Sequence, residues 1–431
     1  MEQKNVTTVA RQFKRTFSEE DVNGLGKAVG FCQRERDITP HRLALGLMEV
    51  FAGARVETIA DAHRAFNALC EAKVHYKPFH NQLAKPTFPA FMRTLYERLM
   101  GELTTEVLRF RPESPFARLA HITVHDGTSY ALKHTLKRVF PGRFRTVSPA
   151  AVELHVTLDL LSEGTETVVL TPDSESEVHH APSPQSLSGG LLLADRMFFV
   201  KDYLAAIAAA GGYFLIKAKD TLNPRVVAAY SAQGVEVRAF RFLNQPLNDL
   251  KPCIRQYQAL DLDVAWGDFQ ARLVVTWDKK NKTARYLLTN LPRAEFSLEA
   301  VCDAYRLRWQ VELLFKEWKS YASLHAFDTS NPHIAEGLLW AALCAATLKR
   351  YCAHMAQRLW RVPISTRKVA MCLRHVLTDI FRALMHTPRV LNQALRRALH
   401  YLSENAQRAH PLRDQLRGRL KLGLEHVYGI A

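Results

Sequence analysis

Two aspartates of the chain stand where strands are predicted to end. Asp126 follows a run rich in β-branched residues that begins at Ile122, and Asp195 follows the apolar run 191–194. Ligands in α/β sheets gather at the carboxyl ends of strands, so the two carboxylates converge if their strands are neighbours. Taken singly, either aspartate is better explained as a cap of the turn that follows it.

A third acid lies in a stretch of regular spacing. Tyr305, Arg308, Glu312 and Lys319 follow the pattern Y-x-x-R-x-x-x-E-x-x-x-x-x-x-K within a helix predicted over 297–320, whose N-cap is Ser297. At about 100° per residue the four side chains fall within roughly 60° of one another and form one stripe. The stripe offers a carboxylate flanked by cations, although the spacing of Arg308 and Glu312 alone also fits an ordinary surface ion pair.

Three carboxylates of this kind suit one class of chemistry. Cleavage of a phosphodiester by a hydroxyl nucleophile uses two divalent ions about 4 Å apart, one at the attacking and one at the leaving oxygen. Hard ions such as Mg²⁺ take oxygen ligands, and carboxylates supply them. The sequence therefore predicts a metal-dependent phosphoryl-transfer site if the fold brings the three acids together.

The elements that position these residues are of mixed type. The N-terminal part reads as helical from Ile38 to Leu103, with Thr39-Pro40 as a cap and first-turn proline. Strands are predicted at 122–126, 152–161, 167–170, 189–195 and 213–218, with a helix over 198–210. Between residues 223 and 292 helical signals fade, and 271–277 with 284–289 form a predicted hairpin. The segments from Ile334 onward are helical again.

Charge points to a polyanionic partner. The chain of 431 residues has a net charge of +16 and a pI of about 9.6, which favours nucleic acid over a neutral small molecule. Between Lys349 and Glu425, 16 Lys or Arg residues stand against four acids. This basic tail is a candidate phosphate-contacting surface, with a solvated helical exterior as the alternative. Three of its leucines, Leu391, Leu395 and Leu402, share a helical face that could serve dimerisation.

Other classes are disfavoured. The seven cysteines include no CxxC pair, so neither a zinc site nor a disulfide framework is predicted. The apolar runs are too short to span a bilayer and the N-terminus is polar, so a cytoplasmic protein without membrane contact is expected.

With these motifs in place, the chain resembles the DDE transposases of bacterial insertion sequences, specifically the insertion-sequence-four family. The full Y-R-E-K pattern matches, and Asp126 before Gly-Thr and Asp195 before Arg196 match the other two carboxylate motifs. The resemblance covers most of the chain. It departs at Met197-Phe198, where the commoner form has a glycine and then an aromatic residue, which leaves the geometry of that loop open.

The resemblance implies a fold and a mechanism. The implied fold class is α/β, an RNase H-like catalytic core with a β-rich insertion, flanked by helical N-terminal and C-terminal regions. The implied division is a helical DNA-binding region (1–115), the first part of the core (116–222), the insertion (223–296), the core helix with the third carboxylate (297–330) and a helical basic region for DNA contact or dimerisation (331–431).

The implied site follows from the same resemblance. Asp126, Asp195 and Glu312 would coordinate two Mg²⁺ or Mn²⁺ ions, and Tyr305, Arg308 and Lys319 would hold the phosphates of the transposon end. Trp266 or Trp277 would stack on a flipped base, although a tryptophan in a strand is more often part of the core.

The expected substrate is double-stranded DNA, the transposon ends and the target, acted on by a homodimer. Two alternatives stay open: a structure-selective nuclease of the same fold, which would cleave without joining, and a non-catalytic DNA-binding protein derived from a transposase. The three intact acids argue against the second, because carboxylates beside a phosphate backbone are repelled by it.

Overall fold

The structure is a computed structural model that describes residues 2–34, 36–52, 58–237, 243–321, 328–410 and 419–428. The N-terminal helices are α1 (Glu2–Thr16), α2 (Glu19–Ala28), α3 (Pro40–Ala52), α4 (Ile59–Cys70), α5 (Tyr76–Leu83) and α6 (Phe88–Glu102). The predicted cap of α3 is confirmed, because Thr39 Oγ1 accepts a hydrogen bond from the backbone N–H of Arg42 at 3.2 Å. α1 and α2 lie before the helical region that the sequence predicts from Ile38 onward.

A mixed sheet follows these helices. Its strands are β2 (Ile122–Ala131), β3 (Pro141–Phe144), β4 (Ser148–Asp159), β5 (Thr165–Pro172), β6 (Leu191–Ala194), β7 (Tyr213–Lys217), β8 (Arg225–Ser231), β9 (Ala259–Trp266), β10 (Phe269–Asp278) and β11 (Thr283–Thr289). The order is β3-β4-β2-β6-β7-β11-β10-β9-β8, and β5 pairs with β4. A separate pair consists of β1 (Leu108–Phe110) and β12 (Leu424–His426).

The region predicted as an insertion continues this sheet. The predicted hairpin is confirmed as β10 and β11, and β11 pairs antiparallel with β7. The region also contains a helix that the sequence does not predict, α8 (Leu247–Tyr257). The preceding part contains α7 (Lys201–Ala209). α8 carries an internal proline, Pro252, which weakens the helical signal.

The C-terminal helices are α9 (Leu298–Arg306), α10 (Trp309–Tyr321), α11 (Pro332–Trp360), α12 (Thr366–Cys372), α13 (Arg374–Leu384) and α14 (Pro388–Asn405). The fold is therefore the mixed α/β class that the sequence predicts, with helices before and after the sheet. None of the described helices is both long and apolar enough to cross a lipid bilayer.

The two faces of the sheet are covered by different helices. Leu193 and Leu215 belong to the large hydrophobic cluster that includes α9, α10, α11 and the N-terminal helices. Leu192 and Phe214, one residue away on the same strands, belong to a second cluster with α7 and α8. Successive side chains of a strand point to opposite faces, so both faces of β6 and β7 are buried.

Helix α11 changes the interpretation of the basic tail. It is buried over most of its 29 residues, and Lys349 donates to the backbone carbonyl of Phe51 at 3.1 Å inside the protein. Burial lowers the pKa of Lys349 to about 8. Part of the counted positive charge is therefore internal and does not face a partner.

The apolar face of α14 also has a different role from the one considered in the sequence. Leu391, Leu395 and Leu402 are fully buried in the main hydrophobic cluster of the same chain. α14 packs against α13, α1 and α11. These leucines therefore stabilise the monomer and do not form an exposed dimerisation face.

Candidate active site

The register of two parallel strands places Asp126 beside Asp195. β2 and β6 pair in parallel, with Val124 opposite Leu193. Asp126 lies two residues after Val124, and Asp195 lies two residues after Leu193. The two aspartates therefore occupy equivalent positions on neighbouring strands that run in the same direction. The condition for their convergence, that the two strands be neighbours, is therefore met.

One part of the prediction was wrong: β2 does not end at Asp126. It continues to Ala131, because its other neighbour, β4, pairs with it along the whole length from Thr123 to Ala131. β6 ends at Ala194. Asp126 is thus held in the middle of a strand, just past the point where the parallel neighbour stops, which fixes its backbone more firmly than a loop would.

The Asp126 carboxylate is enclosed and strongly contacted. Its side chain is 15% exposed, and Oδ2 accepts from Arg308 Nη1 at 2.7 Å. Oδ1 accepts from the backbone N–H of Gly127 at 3.0 Å. Burial raises the pKa of Asp126 to about 6, even though Arg308 and the Gly127 N–H favour the ionised form; Glu312 and Glu177 add to the rise. The ionised carboxylate is therefore under-stabilised without further positive charge.

The helix predicted over 297–320 is two helices. Ser297 caps α9 as predicted, accepting from the backbone N–H of Ala300 at 3.2 Å. Between α9 and α10 the backbone turns more tightly, since Arg308 N–H donates to the carbonyl of Tyr305 at 3.1 Å and Val311 N–H to the carbonyl of Arg308 at 3.2 Å. Such i to i−3 hydrogen bonds are those of a 3₁₀ turn.

Arg308 lies at the centre of the acidic residues. Its Nη1 contacts Asp126 at 2.7 Å and its Nη2 contacts Glu312 Oε1 at 3.3 Å. Burial acts to lower the pKa of Arg308, but Tyr305, Asp126, Asp195 and Glu312 together raise it above its ordinary value. The guanidinium therefore marks the place where negative charge converges.

Tyr305 connects α9 to the end of β6. Its hydroxyl donates to the carbonyl of Ala194 at 3.4 Å, one residue before Asp195. Burial raises the pKa of Tyr305 to about 12, which Arg308 opposes and Asp195 reinforces. The structure thus brings Asp126, Asp195, Tyr305, Arg308 and Glu312 together.

Lys319 lies further along the same direction. α10 packs on β2, and Lys319 Nζ lies 5.4 Å from the centroid of the Tyr130 ring, four residues beyond Asp126. The lysine is exposed, as a phosphate contact requires.

The two tryptophans are not grouped with this site. Trp266 is half-buried and packs against Phe199 and Phe269, with ring centroids 5.6 Å and 5.9 Å away. Trp277 is also half-buried, beside the second hydrophobic cluster. By register, Trp277 lies at the end of β10 that points the same way as Asp195, and Trp266 lies at the opposite end of the β9–β10 hairpin.

Two glutamates next to Gly127, Glu153 and Glu177, are site neighbours that the sequence did not predict. Glu153 on β4 is hydrogen-bonded to Glu177, and burial together with Glu177 raises its pKa well above the ordinary range. Arg143 contacts Glu153 at 2.9 Å. A Cβ atom on Gly127 would lie 2.7 Å from Glu153 Oε1, so a larger residue there would displace the Glu153 carboxylate. In the sequence, Gly127 after Asp126 was the available sign of close packing at this position. That Glu153 is the side chain packed against it depends on the fold.

A second missed group holds α10 in place. Glu317 on α10 contacts Arg350 on α11 at 3.4 Å, and Arg350 contacts Glu163 at 3.7 Å. His354 is 3.2 Å from the same Glu163 carboxylate. This buried network sets the position of α10, and therefore of Glu312, relative to the rest of the core.

Comparison with known proteins identifies the family of the chain. Residues 119–348 match the family model described as the transposase DDE domain. This range includes all three carboxylates and covers more than half of the chain, so the chain belongs to the transposase DDE domain family.

Full-length relatives are distant but extensive. The chain is 19% identical to the transposase for insertion sequence element IS231E of Bacillus thuringiensis subsp. finitimus, covering 93% of this chain and 92% of that one. It is 20% identical to the IS231F transposase of Bacillus thuringiensis subsp. israelensis over 95% of this chain and 93% of that one. It is 21% identical to the IS1151 transposase of Clostridium perfringens, over 74% of each.

Proposed function

We propose that this protein is an insertion-sequence transposase that binds the terminal inverted repeats of its element, cleaves the DNA at the ends and joins them to target DNA. The observation that carries the proposal is the convergence of Asp126, Asp195 and Glu312 around the guanidinium of Arg308. The full-length relatives named as insertion-sequence transposases support it.

We also propose that the core is RNase H-like. In support, the strand order β5-β4-β2-β6-β7 places an antiparallel meander beside two strands that run parallel to its first strand. The first and second aspartates then lie on the two central neighbours, β2 and just past β6, and the third acid comes from a helix that packs on β2.

The three carboxylates are proposed to hold two Mg²⁺ or Mn²⁺ ions. The donor set fits, because carboxylate oxygens are the ligands that hard divalent ions take. Arg308 does not fully offset the burial of the Asp126 carboxylate, so a bound cation would stabilise its ionised form further. In the described part of the chain, no three acidic, histidine or cysteine side chains are already grouped to hold an ion. Arg308 now contacts both Asp126 and Glu312, so an ion bound between these two acids would have to displace its guanidinium. When bound, such ions activate the attacking oxygen and stabilise the leaving oxygen.

The neighbouring side chains have distinct proposed tasks. Arg308, released from Asp126, would donate two N–H groups to a DNA phosphate, which suits a planar guanidinium. Lys319 would contact the backbone on the β2 side of the site. Tyr305 would hold the end of β6 beside Asp195 while presenting its ring edge to the DNA. Trp266 and Trp277 remain candidates for base stacking, and Trp277 is the better placed.

The test uses duplexes that carry the inverted repeats flanking the coding region. In Mg²⁺ the protein should nick these duplexes and join a pre-cut 3′ end to a plasmid. Asp126→Ala, Asp195→Ala and Glu312→Ala should each abolish both steps and leave duplex binding intact, because metal ligands carry the chemistry and positive side chains the affinity. Asp202→Ala, an exposed acid on α7, is the matched control and should keep full activity.

The outcomes separate the alternatives. Cleavage without joining of a pre-cut end would identify a nuclease. Binding without cleavage in either metal would identify a non-catalytic DNA-binding protein. Near-normal cleavage by one alanine variant would remove that residue from the ligand set. The mass of the protein on an end duplex, measured by light scattering, would check the expected homodimer.

A further inference from the structure

An arm between β2 and β4 carries positive charge without acidic residues. From Gly127 to Val152 the sequence contains no Asp or Glu but five cations, Lys133, Lys137, Arg138, Arg143 and Arg145. We define residues 132–148 as the basic arm. It lies outside the basic tail, and neither the catalytic residues nor the tail accounts for it.

The basic arm is a built structure. Leu136 and Phe140 are buried and anchor it to the core. The backbone N–H of Ala151 donates to the carbonyl of Phe140 at 3.1 Å. A Cβ atom on Gly142 would lie 1.9 Å from the carbonyl oxygen of Ser148, so only glycine allows β3 to approach β4 this closely. The arm therefore projects its side chains from a fixed backbone.

Three of the five cations have no acidic partner in the described structure. Lys133 pairs with Asp328 at 3.1 Å, and Arg143 pairs with Glu153. Lys137, Arg138 and Arg145 are exposed, and no ion pair with a described acid holds them. Their charge faces outward and is available to a polyanion.

Exposed apolar side chains lie among these cations. Phe144 is 60% exposed and Val147 is 86% exposed, on either side of Arg145, and Val139 is 50% exposed. Grouped apolar exposure of this kind on a soluble protein marks an interaction surface. The basic arm therefore combines positive charge with exposed apolar surface. This combination suits the phosphates and sugars of a nucleic-acid backbone.

The distance from the catalytic residues follows from strand register. Asp126 pairs with Val156 on β4, and Ser148, where the arm ends, lies eight residues back along β4. At about 3.4 Å per residue this is about 27 Å. Lys319, over the Tyr130 ring, lies between the two. An exposed cation therefore stands between the three carboxylates and the arm.

We propose that the basic arm binds the sugar-phosphate backbone of the DNA duplex about 8 bp from the phosphodiester that reacts at Asp126. The spacing follows because B-DNA rises about 3.4 Å per base pair, so 27 Å corresponds to about 8 bp. The contact is independent of sequence, since it is made to phosphates and not to base edges. This inference rests on the proposed function.

The main experiment measures how binding depends on duplex length. End duplexes extend 4, 8, 12 or 16 bp from the cleavage position, on one side at a time. The wild-type protein should gain affinity when one side passes about 8 bp. The triple variant Lys137→Gln/Arg138→Gln/Arg145→Gln should lose that gain, and the slope of log affinity against log salt should fall by about 2 to 3.

The matched control removes the same charge elsewhere. Arg109→Gln/Arg111→Gln/Arg118→Gln removes three exposed positive charges near β1, which pair at the surface with Glu425 and Glu295. β1 lies beside Leu161, beyond the opposite end of β4. This variant should keep the length dependence. Equal losses in both triple variants would mean that only net charge matters and would overturn the inference.

A second measurement does not depend on the triple variant folding well. Arg145→Cys should cross-link by thiol–disulfide exchange with a mixed disulfide tethered to the DNA backbone 6–10 bp from the cleavage position, releasing the small thiol of the tether, on one side only, and not with the same tether at 16 bp. Cross-linking with no positional preference would overturn the inference. If the wild-type protein neither binds nor cleaves end duplexes, the proposed function fails. If it does both and the arm variants behave as wild type, only the arm inference fails.

Discussion

The burial of the Asp126 carboxylate predicts that the candidate active site lowers the folding stability. The Arg308 guanidinium lies 2.7 Å away, which alone would lower the pKa. Burial outweighs it and raises the pKa of Asp126 to about 6 from its ordinary 3.8. At about 1.4 kcal/mol per pH unit, this difference means that the ionised residue costs the folded state about 3 kcal/mol at neutral pH.

The pH dependence has a definite sign. A raised carboxyl pKa means that the folded state holds the proton more tightly than the unfolded state. The contribution of Asp126 to stability is therefore complete below about pH 4 and is lost as the pH rises to about 6. Asp126→Asn, which resembles the protonated side chain, should stabilise the protein by about 3 kcal/mol at pH 8, and this gain should disappear below about pH 4.

The assay is urea unfolding in EDTA at a series of pH values, followed by circular dichroism. Asp268→Asn, an exposed acid in the β9–β10 turn, is the control and should change stability by no more than about 0.5 kcal/mol. If Asp126→Asn is as stable as wild type or less stable at pH 8, the ion pair with Arg308 outweighs burial and the reasoning is refuted.

Adding metal extends the same prediction. A ligand that binds only the folded state stabilises it in proportion to the logarithm of its concentration. Mg²⁺ or Mn²⁺ should therefore raise the melting temperature of the wild-type protein, and the rise should be much smaller in Asp126→Asn. Equal rises in the two proteins would place the bound ion away from Asp126.

Three further predictions concern the surroundings of the site. Arg308→Gln and Lys319→Ala should each lower cleavage or joining by at least about tenfold, or 1.4 kcal/mol; full activity in both would remove their phosphate-binding role. Lys319 is exposed, so its replacement should change the melting temperature little. Arg308→Gln should also lower the melting temperature, because the buried Asp126 carboxylate loses its partner at 2.7 Å. Glu317→Gln should destabilise the protein by about 1–3 kcal/mol in urea unfolding, because it weakens the buried contact between α10 and α11. Gly127→Ala should cost about 1–3 kcal/mol in the same assay, because the added methyl meets the Glu153 carboxylate.

Local patterns were sufficient for much of the fold. Period-two runs and β-branched residues located β2, β4, β6, β7 and the β10–β11 hairpin, and side-chain caps located the starts of α3 and α9. Each of these signals depends on residues that are neighbours in sequence. The range 122–126 was too short because its continuation to Ala131 depends on pairing with β4, which no local pattern records.

Of the sequence features, the count of charged residues said least about which surfaces of the folded protein carry charge. The basic tail was counted as surface, but Lys349 and Arg350 are enclosed by α11 and its neighbours, and both are paired there. Conversely, the sequence alone does not distinguish the acid-free run of the basic arm from the rest of a chain with a net charge of +16. Its significance appears only when the anchoring of the arm and the exposure of Arg138 and Arg145 are known. Net charge therefore indicates the class of partner, whereas the fold decides which surface can meet it.

The site itself shows why spacing gave its members but not its arrangement. The four-residue step from Arg308 to Glu312 predicted their contact, which is present at 3.3 Å. The contact of the same guanidinium with Asp126 joins residues 182 positions apart in the chain, and it depends on the 3₁₀ turn that separates α9 from α10. That turn lets Tyr305 stay bonded to the end of β6 while Glu312 begins a new helix along β2. In a straight helix, Tyr305 and Glu312 would still lie on one face. Their side chains would then share one helix axis and could not follow two different strands. The break at residues 307–308 is therefore the feature that lets one segment meet two neighbouring strands, and with them both aspartates.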